Sequence, residues 1–158
     1  MVSLSSYGIN PAKKRTYEGV AYVLALIYGH LTKAVEKQLS AYALTPVQFN
    51  VLMLCAYQNN GRGVTQVFLA KHLIVSASNV TKIVDKLVQG GLLNRRVNPL
   101  ARRENVICAT VKGQRLIDKI WPEYDRLLSR LAGTLSASQQ KTLGGLLQGW
   151  LENLQQEK

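Results

Sequence analysis

Between Thr65 and Thr110 the apolar spacing changes from the three-four repeat of a helix to the two-residue alternation of a strand. This switch constrains the fold more than any other feature of the chain. Thr65 is a suitable cap for a short helix through about His72, with Phe68, Leu69 and Leu73 inward. Ser76 is a suitable cap for a second helix, Ala77–Gln89, in which Val80, Ile83, Val84 and Leu87 form a buried stripe. Gly90-Gly91 supplies a left-handed exit. Strands are expected over Leu92–Val97 and Glu104–Thr110, joined by a tip at Asn98–Arg103. Two helices at turn spacing followed by a two-stranded hairpin read as a winged helix-turn-helix.

The flanks are helical. A long helix is expected from about Lys14 to Tyr42, on the spacing of Val20, Val23, Leu24, Ile27, Leu31, Ala34 and Val35. Thr45 and Pro46 open the next helix, which carries Phe49, Val51, Leu52, Cys55 and Ala56 and ends at Asn59-Asn60-Gly61. Beyond the hairpin, a stripe from Leu116 to Leu131 is interrupted by Pro122, so a kink or break is expected near Lys119. A last helix follows Leu135–Ser138. Its Gly144, Gly145 and Gly149 each lower helicity by about 1 kcal/mol against alanine, so it needs packing to persist. The expected fold is mainly α: a winged helix-turn-helix with a two-stranded β wing, flanked by N- and C-terminal helices. The segments are 1–43, 44–112 and 113–158, within one compact domain.

Charge follows the same division. From Gly61 to Arg115 there are ten basic residues and two acids, Asp85 and Glu104, or +8 of the total +11. The ends are near neutral. A basic middle on a neutral scaffold is the footprint of a module that binds double-stranded DNA. With the stripe of Ala77–Gln89 inward, Ser78, Asn79, Lys82 and Lys86 project outward. Ser78 and Asn79 occupy the first turn, where the helix dipole favours phosphate. Short polar side chains there reach base edges in a major groove, and Lys82 reaches guanine or phosphate. Thr65, Ser76 and Thr81 complete the candidate set on the two helices. Arg95 and Arg96 on the first strand, with Arg102 and Arg103 at the tip, suit a narrow, electronegative minor groove.

These residues resemble the MarR family of winged-helix regulators over Leu44 to about Leu116. LTPVQFNVLMLC is similar to the family's second helix, and LAKHLIVSASNVTKIVDKLVQGGLLNRR to its recognition element and first wing strand. NPLARRENVICATVKGQRL is similar to the wing and the start of the fifth helix. The resemblance implies a homodimeric repressor with one recognition helix in each half-site of a near-palindromic operator. It implies a dimer interface on the first and last two helices, where Val20, Ile27, Leu127, Leu143, Leu147, Trp150, Leu151 and Leu154 are the candidates. The family's wing usually has an acid where this chain has Ala101, which leaves the role of Arg102 and Arg103 open.

The resemblance also implies release by a small aromatic or phenolic inducer. Tyr22, Tyr28, His30, Tyr57 and Arg62 lie beside elements that border ligand pockets in the family, although a helical aromatic is more often core than ligand wall. The family's other sensing mode uses a cysteine near the N-terminus, and no cysteine precedes Cys55. Cys55 sits on an apolar helix and reads as inert core. If Ile107 and Ala109 point inward, alternation turns Cys108 outward, and a Cys108-based redox-sensing regulator is the alternative. A winged-helix protein-interaction module is another. No enzyme is expected: there is no Gly-rich phosphate loop and no paired carboxylates in the basic region. No metal or cofactor is expected either, since the cysteines and His30 and His72 lack ligand spacing.

Two unpaired cysteines fit a reducing cytoplasm. Lys13-Lys14-Arg15 before an apolar run mimics a signal peptide, but Glu18 intervenes and the helical spacing continues beyond the run. The run is too short to span a bilayer, so no membrane partner is expected.

Overall fold

The computed structural model describes residues 4–9, 16–73, 76–98 and 101–156, with the backbone alone for Leu4, Ala77, Asn98 and residues 101–104. After a 3-10 turn at Leu4–Tyr7 come α1 (Thr16–Leu39), α2 (Pro46–Tyr57), β1 (Val64–Thr65), α3 (Gln66–His72), α4 (Ala77–Gln89), β2 (Leu93–Asn98), β3 (Ala101–Ala109), α5 (Val111–Ala132) and α6 (Ala137–Gln156). The chain forms two compact units, residues 1–120 and 121–158.

In the first unit, α2 begins with a reciprocal cap. Gln48 N donates to Thr45 Oγ1 at 3.2 Å, and Thr45 N donates to Gln48 Oε1 at 2.9 Å. This satisfies two otherwise orphaned amides and explains a buried glutamine in a helix whose Phe49, Val51, Leu52 and Cys55 are buried. The helix ends where Asn59 and Asn60 both turn left-handed, with φ of 52° and 54°. Thr65 Oγ1 accepts from Phe68 N and starts α3, as its sequence position implies.

Val80, Val84 and Leu87 of α4 are buried, and α4 packs with α2, α3 and β2. Each such burial contributes about 1.5–3 kcal/mol. The exit at Gly91 is left-handed (φ 69°). The C-terminus of α4 is closed from outside the helix: Lys112 Nζ donates to Gly90 O at 2.8 Å, placing a cation where the dipole is negative. Thr110 Oγ1 donates to Gly91 O and accepts from Gly113 N, so it joins that exit to the first turn of α5.

Three expectations are corrected. The hairpin carries a third strand, because β1 pairs antiparallel with β3 (Val64 opposite Ile107) and the order is β1-β3-β2. A two-residue strand has no readable alternation. The strands also run further toward the tip than expected, so Arg102 and Arg103 lie on β3. Finally, Pro122 does not break α5, which is one helix with Pro122 inside it. A proline removes one donor from the ladder, and the bonds on either side suffice to carry the helix through.

In the second unit, α6 has its own reciprocal cap between Ser136 and Gln139. None of its described side chains is buried. Among the described residues, no single helix is long and apolar enough to cross a membrane.

Gly113 yields a test of packing. A Cβ at this position would collide with the Leu92 carbonyl and crowd Leu52. Glycine-to-alanine inside a helix ordinarily stabilises by about 1 kcal/mol. Here the sign reverses, and Gly113→Ala is expected to lower the urea unfolding free energy by about 1–3 kcal/mol. An unchanged or higher urea midpoint would refute the close approach.

Candidate nucleic-acid interface

The buried stripe of α4 determines what the helix presents to solvent. Ser78, Asn79, Thr81, Lys82 and Lys86 are all exposed on the other side. Ser76 has the extended backbone of a cap residue, but its side chain makes no capping bond. Its hydroxyl instead lies 3.2 Å from that of Ser78. Thr65 is half-buried with its oxygen engaged in the α3 cap, which places it beside this face rather than on it.

Two residues on α4 are tied to neighbouring elements. Gln66 Nε2, from the first residue of α3, donates to Thr81 Oγ1. Arg95 of β2 forms an ion pair with Asp85. The pair is partly exposed, so it adds little to stability, but it settles the direction of the Arg95 guanidinium. It also neutralises Asp85, the one acid of α4. Arg96 follows Arg95 on the strand and faces the opposite side of the wing, exposed. The side chains of Arg102 and Arg103 lie outside the described residues.

The sequence reading separated these groups correctly into helix and wing, but it missed Gln66. A residue next to a cap carries no mark of a partner fifteen positions away. The reading also grouped Arg95 with Arg96 toward the minor groove, because nothing in the spacing of Asp85 and Arg95 connects a helix to a strand.

The remaining candidates are dispersed. Val20, Ile27, Leu143, Trp150, Leu151 and Leu154 are exposed, Leu147 is half-buried and Leu127 is buried. Tyr22, Tyr28 and His30 are exposed on α1, and Tyr22 packs its ring 5.4 Å from that of Tyr7. Tyr22 and Tyr28 are six residues apart and point to different sides of the helix. Tyr57 is exposed and accepts from Gln114 Nε2 at 3.1 Å, and Arg62 is exposed nearby in sequence. None of these five lines the cleft of about 390 Å³ beside the wing, which is bounded by Thr65, Gln66, Val67, Arg95, Asn105 and Ile107.

Cys108 is buried, contrary to the alternation argument. Both faces of β3 are covered at this point. The loop ending α2 lies over the outer face, where Cys108 Sγ donates to Arg62 O at 3.2 Å. Gly63 lies against the same sulfur with no room for a Cβ. Burial pushes the Cys55 thiol from 9.0 up to about 12, and Cys108 adds in the same direction.

A sequence profile of the MarR family matches residues 44–105. The HTH-type transcriptional regulator YkoM of Bacillus subtilis, itself uncharacterised, is 31% identical over 106 residues, or 67% of each chain. This chain belongs to the MarR family. Its members are winged helix-turn-helix, DNA-binding transcriptional regulators, a non-enzymatic class. The fold of this MarR family member is similar to that of CouR from Rhodococcus jostii RHA1 bound to p-coumaroyl-CoA. The TM-score is 0.75 and the identity 27%, covering 85% of this chain and 90% of that one. It is also similar to a cysteine-to-serine mutant of MarR from E. coli complexed with operator DNA. There the TM-score is 0.73 and the identity 25%, covering 84% and 94% of the two chains.

The cysteine geometry has a measurable consequence. Burial therefore keeps the Cys55 thiol protonated at pH 8. The proton on Cys55 stabilises the fold below about pH 9, and this contribution is lost as the pH rises from there toward 12, because the unfolded thiol ionises first. Neither Cys55 nor Cys108 is expected to react with Ellman's reagent at pH 8 within minutes, and both react at once in 8 M urea (roughly full unfolding). Fast labelling of the folded protein would contradict the burial.

Proposed function

We propose that this MarR family regulator is a homodimeric repressor that sets α4 of each protomer into one half-site of a near-palindromic operator. The observation that carries this reading is the division of α4 into two sides. Val80, Val84 and Leu87 are buried, Ser78, Asn79, Lys82 and Lys86 are exposed, and its one acid is paired with Arg95. The exposed side fits base and phosphate contacts in a major groove. Arg96, with Arg102 and Arg103, supplies the wing's cationic side chains toward the flanking minor groove. Thr65 and Ser76, at the starts of the two helices, serve the phosphate backbone, and Thr81 serves the groove.

Segments 1–43 and 113–158 supply the dimer interface, and 44–112 the DNA-binding part. Support comes from the apolar side chains that α1 and α6 leave uncovered in the single chain, among them Val20, Ile27, Leu143, Trp150, Leu151 and Leu154. A small aromatic or phenolic ligand releases the operator. Support for this is the ligand-bound CouR structure, a relative in fold and sequence. The Cys108 redox alternative loses its premise, because the thiol is buried. The protein-interaction alternative has no observation in its favour. It is separated by salt, since binding to duplex would be weak and nearly salt-independent.

Two measurements test the proposal. Selection of bound fragments from random duplex DNA is expected to return an inverted repeat. A titration with that site should have a log–log salt slope of about −5 to −9, for roughly 6–10 phosphates neutralised. Lys82→Ala is expected to weaken this site by about 1–3 kcal/mol. Leu151 is 55% exposed in the single chain. Leu151→Asp therefore leaves the protomer folded and converts the dimer to monomer in sedimentation velocity. A dimer of unchanged stability would remove α6 from the interface.

A further inference from the structure

We propose that Gln66 is a specificity-determining positioning residue, acting through Thr81 to make the regulator read a thymine methyl group. The inference rests on the DNA-reading role given to α4 above and extends it to one base.

Thr81 is exposed on the flank of α4 that faces α3, one helical turn beyond Ser78. A threonine there presents either of two chemistries to a groove. Its hydroxyl hydrogen-bonds base edges, and its methyl packs on the 5-methyl of thymine. The two groups share one β-carbon, so a single torsion decides which faces the DNA, and a β-branched side chain on a helix has few torsions to choose from. Gln66 Nε2 donates to Thr81 Oγ1 and draws the hydroxyl toward α3. The Cγ2 methyl is left as the part of Thr81 offered for apolar contact.

The anchor is stiff for a second reason. Asp85 lies one helical turn beyond Thr81 on the same ridge, and Arg95 of β2 holds it. The ridge is therefore tied at one point to α3 and at the next to the wing. Gln66 and Arg95 both line the cleft between them. Rotation of α4 about its own axis would break one tie or the other. Gln66 sits at the base of this arrangement without needing to touch DNA itself.

The experiment uses the full-length protein and its selected operator, with each thymine of a half-site replaced in turn by uracil, which lacks the 5-methyl. The wild type is expected to lose roughly fivefold in affinity at one position, the yield of one buried methyl. Gln66→Met keeps length and apolar bulk but cannot donate. It should bind thymine and uracil at that position equally, with wild-type melting temperature and salt slope. Thr81→Ser keeps the hydroxyl and the bond from Gln66 but removes the methyl, and it should lose the same discrimination. The double variant should lose no more than either single one. The proposal is overturned if no position distinguishes thymine from uracil in the wild type, or if Gln66→Met retains the wild-type ratio. Failure of the wild type to select any duplex sequence is a separate result, and it removes the regulator reading beneath this one.

Discussion

The burial of Val80, Val84 and Leu87 is the interaction on which the rest of the structure depends. These three side chains determine the rotation of α4 about its axis, and with it the identity of every group the helix offers to solvent. A shift of one residue in that stripe would turn a helix of this length by 100° and carry Lys82 or Asn79 away from the outward face. The hydrophobic effect has no directionality of its own, yet here it sets a polar surface to within a fraction of a helical turn. The exposed face of α4 is the complement of the core.

Polar interactions then restrict what remains. Lys112 and Thr110 close the end of α4 onto the start of α5, while Arg95 joins the wing to Asp85 and Gln66 joins α3 to Thr81. Each is partly exposed and contributes modestly to stability. Their effect is to hold α3, α4, the wing and the start of α5 in one arrangement. Preorganisation of this kind lowers the ordering cost of binding rather than adding contact area.

Much of this was legible beforehand. The bounds of α4, its buried stripe and the left-handed exit at Gly91 follow from local chemistry, as do the Thr65 and Thr45 caps. What could not be read was anything long-range. β1 is two residues long and exists only because β3 lies beside it. The expectation that Cys108 faces outward assumed one solvent-facing side of the sheet, whereas the loop through Arg62 and Gly63 covers that side. Pro122 looked like a break because a single proline outweighs its neighbours in a local reading. In α5 the neighbouring turns carry the helix across it.

Sequence by itself determined that this chain forms a basic winged helix-turn-helix with leucine-rich helical ends, because helical spacing, capping and net charge are properties of neighbouring residues. Only the tertiary structure decided which of the basic and polar side chains stand free and which are engaged. Arg95 is spent on Asp85, Lys112 on a helix end and Thr81 on Gln66. Those pairings depend on where distant segments come to rest, and that is settled by the shared core rather than by any local pattern.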